Sequence, residues 1–289
     1  MSTTTTRRPR MSDEERRAYA AQQRAALTAA VDAACAVLHT DPVWGALLTV
    51  AAHLPDRGPV NVIAITAQMP TATDVRGKAA WRDAGRHPAK GSTSLRIFQP
   101  MKGGGSRAAA DAQSGGATPD PTAADTATEQ GATGGEPGRR KIRTYKAAPV
   151  YDVSQTAGAE YQAPPAPAVD PARAAARLRA AADALAAECP GPDPEAAPAD
   201  QARALLDVLA AALLTGPDVV PGQHAAEAAS AAHLAARMLG LDPGPAPAPQ
   251  LGGITCGDER MTPAIKDAAE RVILAGRRLA AQATGHTTT

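Results

Sequence analysis

The stretch that decides the reading of this chain runs from Asn61 to Pro100, NVIAITAQMPTATDVRGKAAWRDAGRHPAKGSTSLRIFQP. Its apolar run Val62-Ile63-Ala64-Ile65 and its later Leu95-Arg96-Ile97-Phe98 are both strand candidates, short and rich in β-branched or aromatic residues. Between them lie the polar turn Thr71-Ala72-Thr73-Asp74, a short segment carrying Trp81, and the basic loop Gly85-Arg86-His87-Pro88-Ala89-Lys90-Gly91. From Arg76 to Lys102 the basic residues are Arg76, Lys78, Arg82, Arg86, Lys90, Arg96 and Lys102, and the one acid is Asp83. A patch of one sign suits a polyanion, because each neutralised phosphate releases condensed counterions. An aromatic ring among the cations suits single strands, whose bases stack on it at roughly 1–3 kcal/mol each. The competing reading makes Trp81 a core residue and the cations a solvated face.

The order Gln68-x-Pro70-x-Ala72-Thr73-x-Val75-x-Gly77, then Trp81, Gly85-Arg86, Lys90-Gly91 and a strand into Pro100, resembles the N-terminal domain of ArdC-type antirestriction proteins. Lys146-x-x-Pro149-Val150-Tyr151-Asp152-Val153-Ser154-Gln155-Thr156 looks like the end of that domain. The resemblance implies an α+β domain that binds single-stranded DNA, on proteins that protect or handle incoming DNA. It carries the expectation that Trp81 or Tyr145 stacks on bases while Arg76, Lys78, Arg82, Arg86, Lys90, Arg96, Arg143 and Lys146 form the nucleic-acid face. In that family a zinc metallopeptidase-like domain with a His-Glu-x-x-His helix usually follows.

Upstream, Ser12 and Glu15 form a capping-box pattern that starts an Ala-rich helix running to about His39. Asp41-Pro42 breaks it, and a second helix follows from about Val43 to Ala52. Downstream of Pro100, residues 103–138 hold Gly, Ala, Thr and acids without one Val, Ile, Leu or aromatic residue. Such a composition buries too little to offset its ordering entropy, so the segment reads as a disordered insertion. Strand-like residues stand on both sides of it. Arg139 to Lys146 alternates as a strand and carries five positive charges in eight residues, Arg143 and Lys146 among them with Tyr145 between. Antiparallel pairing with Leu95–Phe98 would merge the two basic runs into one surface.

Gly158 to Asp170 is Pro-rich and reads as a linker. Beyond it, Pro171–Glu188, Asp200–Leu214, Gln223–Leu239 and Pro263–Ala281 read as Ala-rich helices, with Pro171 and Pro263 suited to first turns and Gly240 to a C-cap. The expected plan is a polar N-terminus (1–11), an α+β single-stranded-DNA-binding domain (12–158) of helices packed on a small, mainly antiparallel sheet, a linker (159–170) and an all-helical region (171–283).

No His-Glu pair occurs anywhere in the chain. The nearest metal-like set, His224, Glu227 and His233, spreads over nine helical positions, roughly 13–14 Å, too far for one ion on a straight helix. Gln223–Leu241 is similar to the helix that follows the metal helix in the family, which implies a peptidase region that has lost its catalytic helix. No catalytic residue, metal or cofactor is therefore expected, and a residual zinc hydrolase or a helical module docking a protein partner stand as alternatives. Three distant cysteines, Cys35, Cys189 and Cys256, make neither a disulfide framework nor a thiolate zinc site. With no apolar run long enough to span a bilayer, the expected compartment is the cytoplasm and no membrane partner is expected.

Overall fold

The computed structural model describes residues 11–101, 145–163, 165, 169–185, 193–215, 221–250, 254 and 258–285. The insertion 103–138, Lys102, Arg143 and the start of the expected strand at 139–144 lie outside the described residues.

Helix α1 spans Asp13–Cys35 and opens on the capping box: the Glu15 N–H donates to Ser12 Oγ at 3.1 Å and the Ser12 N–H to Glu15 Oε2 at 2.7 Å. Its buried residues, Leu27, Val31 and Cys35, repeat every four positions and so share one face. The helix ends at Cys35 rather than His39. Burial pushes the Cys35 thiol up to about 11. Helix α2, Asp41–His53, has Pro42 in its first turn and buries Trp44, Leu47, Leu48, Val50 and Ala51.

The next element corrects the sequence reading. Val62–Ile65 is not a strand but the middle of helix α3, Pro59–Gln68. Every residue from Pro59 to Thr66 is buried, so the run shows neither helical nor strand periodicity, and its β-branched content biased the choice. Pro59 sits in the first turn, where a missing N–H costs nothing.

A short ladder follows: β1 (Val75–Arg76), helix α4 (Lys78–Asp83), β2 (Arg86–Pro88), β3 (Leu95–Pro100), β4 (Tyr145–Asp152), a 3-10 turn (Val153–Gln155) and β5 (Thr156–Gly158). Strands β1, β4 and β3, in that order, form an antiparallel sheet, and β2 pairs with β5 antiparallel. The pairing of Leu95–Phe98 with the basic second strand is present but shifted C-terminally: Leu95 faces Val150 and Pro100 faces Tyr145.

In this order β3 is an edge. The carboxamides of α3 close it. Asn61 Nδ2 donates to the Phe98 carbonyl at 2.9 Å and Asn61 Oδ1 accepts the Phe98 N–H at 2.8 Å. Gln68 repeats the pattern on Arg96, with 2.9 Å to the carbonyl and 2.8 Å from the N–H. Two amide side chains thus stand in for a neighbouring strand.

Helices α5 (Pro171–Ala184), α6 (Pro198–Leu214), α7 (Pro221–Leu239) and α8 (Met261–Thr284) complete the chain, so the architecture is α+β with eight α-helices among the described residues. Pro171 and Pro263 both occupy first turns as expected, Pro263 as the third residue of α8, which starts at Met261. Gly240 takes the left-handed conformation after α7 (φ 71°). Helices α7 and α8 approach closely at Gly276, where an added Cβ would lie 2.9 Å from the Ala231 carbonyl oxygen.

The expected linker at 159–170 does not separate two cores. One continuous apolar cluster runs from Leu27 through the sheet residues Leu95, Ile97 and Val150 to Ala283. Trp44 Nε1 donates to Ser230 Oγ at 2.9 Å, and Ser230 passes its own proton to the Pro247 carbonyl at 2.7 Å. Arg277 on α8 reaches the carbonyls of Leu54 and Arg57 at 2.9 and 2.6 Å, a cation set against the C-terminal end of α2. Burial lowers that guanidinium to about 10.

Asn61 is buried and Gln68 exposed, which separates their energetic weights. Asn61→Ala leaves two backbone groups at Phe98 without partners inside the protein and is expected to cost about 3 kcal/mol, whereas at Gln68 water replaces the lost bonds and the cost stays below about 1 kcal/mol. Urea-unfolding midpoints at unchanged slope measure the difference; equal shifts for the two variants would contradict this account.

Candidate nucleic-acid interface

The module between Asp74 and Tyr161 is organised by two carboxylates turned inward. Asp152, 2% exposed, receives N–H groups from Thr73 (2.8 Å), Asp74 (3.1 Å) and Ser154 (2.9 Å) and the Ser154 hydroxyl (2.7 Å). Its own N–H goes to Gln155 Oε1 at 3.0 Å, completing a capping box that fixes the turn after β4. Asp74 is held by Arg76, with Nε–Oδ1 2.8 Å and Nη2–Oδ2 2.5 Å, and by the Tyr161 hydroxyl at 2.7 Å. Burial, with the bond to Asp74 second, pushes the Tyr161 hydroxyl up to about 12.

Several expected contacts are consumed by this framework. Trp81 is fully buried and donates Nε1 to the Tyr151 carbonyl at 2.8 Å, so it is a core residue and presents no face for a base. The competing core reading of Trp81 is the one realised. Arg76 lies over the Trp81 ring, 4.9 Å from its centroid, besides pairing with Asp74. Arg86 donates to Thr156 Oγ1 and the Thr156 carbonyl, both at 2.9 Å, and to the Ala159 carbonyl. It ties β2 to the segment after β5 rather than standing ready for phosphate.

What remains outward is different. Lys78, Arg82, Lys90 and Lys146 are exposed and Arg96 is half-buried. Arg82 makes only a 3.9 Å contact with Asp83, with both side chains about three-quarters exposed; among the described residues no ion pair holds Lys78, Lys90, Arg96 or Lys146. Strand register sorts them further. Arg96 pairs with Pro149 and Arg76 with Tyr151, so Arg76, Tyr151, Pro149, Tyr145 and Arg96 share one sheet face. Lys146 pairs with Gln99 and belongs to the opposite face. The two basic runs therefore do not merge into one surface through Arg96 and Lys146, because pairing preserves the period of two.

Tyr145 and Tyr151 are both half-buried. Six residues apart on β4, they stand about 20 Å from each other, with Arg96 across the ladder between them. Tyr151 and Tyr161 escape sequence reasoning. Tyr151 enters only as part of the Lys146–Thr156 resemblance, without a role of its own, and Tyr161 lies where proline content suggests a linker. The signal for Asp152 is in the chain, since Asp152-Val-Ser-Gln155 has capping-box spacing.

The metal-like residues on α7 find separate partners. Glu227, 1% exposed, is clasped by Arg271 on α8 at 2.7 and 2.9 Å. His233 Nδ1 donates to the Gly244 carbonyl at 2.8 Å, and His224 Nε2 lies 3.4 Å from Thr215 Oγ1. Among the described residues no group of three His, Cys, Asp or Glu side chains is arranged to hold a metal ion, and no helix is long and apolar enough to cross a membrane. The chain matches no protein-family model, no curated protein and no solved structure.

Burial, the first cause, holds His233 below the usual histidine range, with the charges of Arg237 and Arg203 adding to it and the Gly244 carbonyl opposing. The unfolded chain therefore binds a proton that the folded chain refuses once pH falls below about 6.5, and stability declines from there down to the folded value. His233→Asn, which keeps a donor and removes the titration, is expected to lose less stability than wild type between pH 7.5 and 5; identical losses in thermal melts would exclude His233 as a source.

Proposed function

We propose that this protein binds single-stranded DNA with little sequence preference, on the sheet face of Arg96, Tyr145 and Tyr151, with Lys78, Arg82 and Lys90 following the phosphates. The observation that carries the reading is the segregation of charge and rings. Asp74 and Asp152 are spent on internal donors, while Lys78, Arg82 and Lys90 of the same module are exposed and Arg96 and Tyr151 half-exposed. Neutralised phosphate supplies affinity and ring stacking supplies tolerance of sequence. Two tyrosines about 20 Å apart suit an extended strand rather than a duplex, whose bases are already stacked on each other.

The resemblance of Gln68–Gly77, Trp81, Gly85-Arg86 and Lys146–Thr156 to ArdC-type N-terminal domains supports the same ligand, and extends the proposal to a role in protecting or transferring incoming DNA. Arg76, Trp81 and Arg86 enter this reading as the frame that holds the face, not as its contacts.

Fluorescence anisotropy with a labelled oligonucleotide over a salt series tests it. Single strands are expected to bind more tightly than duplex, with log affinity falling by about 0.7 per phosphate contacted for each decade of salt. Lys78→Ala with Lys90→Ala should flatten that slope by about 1.4 at most. Tyr151→Ala should weaken binding by about tenfold or more without changing the slope, as the loss of one stacked base predicts. Affinity that ignores salt, or a Tyr151 variant that binds as wild type, would refute the assignment.

A further inference from the structure

Arg76, Trp81 and Arg86 are of the types that grip a single strand and lie in one cluster, in which Trp81 is buried and the two arginines half-buried. After β5 the backbone runs past Gly85, where the Ala159 N–H donates to the Gly85 carbonyl at 3.1 Å. Gly158 makes that crossing with φ 132°, and a Cβ there would fall 2.5 Å from the Gly85 oxygen, so the crossing is tight and fixed. Beyond it the hold changes in kind. Within the described residues no backbone hydrogen bond fastens 160–163, and Glu160, Gln162 and Ala163 are exposed.

One side chain fastens this segment. The Tyr161 ring meets Trp81 edge-on, with centroids 6.1 Å apart at 65°. The Arg86 guanidinium carbon lies 5.9 Å from the Tyr161 centroid, and the Tyr161 hydroxyl reaches Asp74, the carboxylate that also holds Arg76. The cluster thus already contains an aromatic ring beside one arginine and an anion on the other. A base and its phosphate would bring the same two chemistries.

We propose that residues 160–163 act as an internal competitor for single-stranded nucleic acid: Tyr161 occupies the position of a stacked base beside the Trp81 ring and the Arg86 guanidinium, and its release leaves that position open to a base next to the Tyr151 face, while Arg86 stays on Thr156 and Ala159 and Arg76 on Asp74. This rests on the single-strand-binding reading given above. Gly158 and β5 stay clamped to Gly85 and β2, so the movement begins after Ala159 and leaves the two-stranded ladder intact. Trp81 donates to the Tyr151 carbonyl, so that position lies directly behind the tyrosine proposed to stack.

A closed segment lowers apparent affinity by the fraction of molecules that are open. Tyr161→Ala is therefore expected to bind a labelled single-stranded oligonucleotide about three- to tenfold more tightly than wild type at the same salt. Tyr161→Phe, which keeps the ring and loses only the bond to Asp74, should tighten less. Circular dichroism and melting temperature are read on both, and the Phe variant carries the test if the Ala variant is unfolded. Binding by wild type with no tightening in a folded variant, or with weakening, overturns the competitor and leaves the single-strand reading standing. Absence of binding by wild type and both variants overturns the two together.

Discussion

The buried carboxamide of Asn61, with exposed Gln68 beside it, closes the sheet edge against the helices. An edge strand presents unpaired N–H and C=O groups, and burying that edge without partners would cost about 1–3 kcal/mol per group. Each carboxamide offers a donor and an acceptor in the spacing of a peptide unit, so Phe98 and Arg96 receive the bonds a further strand would have made. Only a helix can do this from one side while packing on the other. Helix α3 is buried along Pro59–Thr66 and touches α1, α2 and α8 as well as β3, so these two side chains join the sheet to the helical core alongside the apolar contacts of Leu95, Ile97 and Val150.

A second tier of polar bonds sets the surface charge. Asp152 gathers four donors around one buried carboxylate and brings the Thr73-Asp74 turn against β4. That turn aims Asp74 at Arg76 and Tyr161. Both carboxylates are thereby turned onto internal donors, while Lys78, Arg82, Lys90 and Lys146 of the same module stay exposed. In the helical half the buried Glu227 carboxylate is likewise held by the half-exposed Arg271, which joins α7 to α8.

Much of this plan was legible in the chain. Ser12 and Glu15 announce α1, prolines mark the helix starts at 42 and 171, and the β-branched and aromatic content of Leu95–Phe98 finds β3. The misreadings have physical causes. A fully buried run such as Val62–Ile65 has no polar side to reveal its period, so β-branched content decided for strand where Asn61 and Gln68 required a helix. Residue type identified Arg76, Trp81 and Arg86 as nucleic-acid contacts, but type cannot say whether a guanidinium meets a phosphate or the Thr156 and Ala159 carbonyls. Tyr151 stood in the Lys146–Thr156 motif without a role, and Tyr161 carried no local pattern; their places follow from register and from one hydrogen bond to Asp74. The shared core was also hidden, because the Trp44–Ser230 and Arg277–Leu54 bonds join residues 186 and 223 positions apart.

Strands β3 and β4 are adjacent and antiparallel, with Pro100 opposite Tyr145, yet the residues between those two partners number about forty rather than the few a hairpin needs. Closing a loop costs about (3/2)RT ln n, so the longer connection is only roughly 2 kcal/mol worse than a four-residue turn. The register of the ladder is therefore set by the strands and by Asn61 and Gln68, not by the connection. Residues 102–144 are then a place where the polypeptide tolerates change in length and content, and where a foreign domain or a new pair of chain ends can be introduced while the hydrogen-bonded edge stays closed.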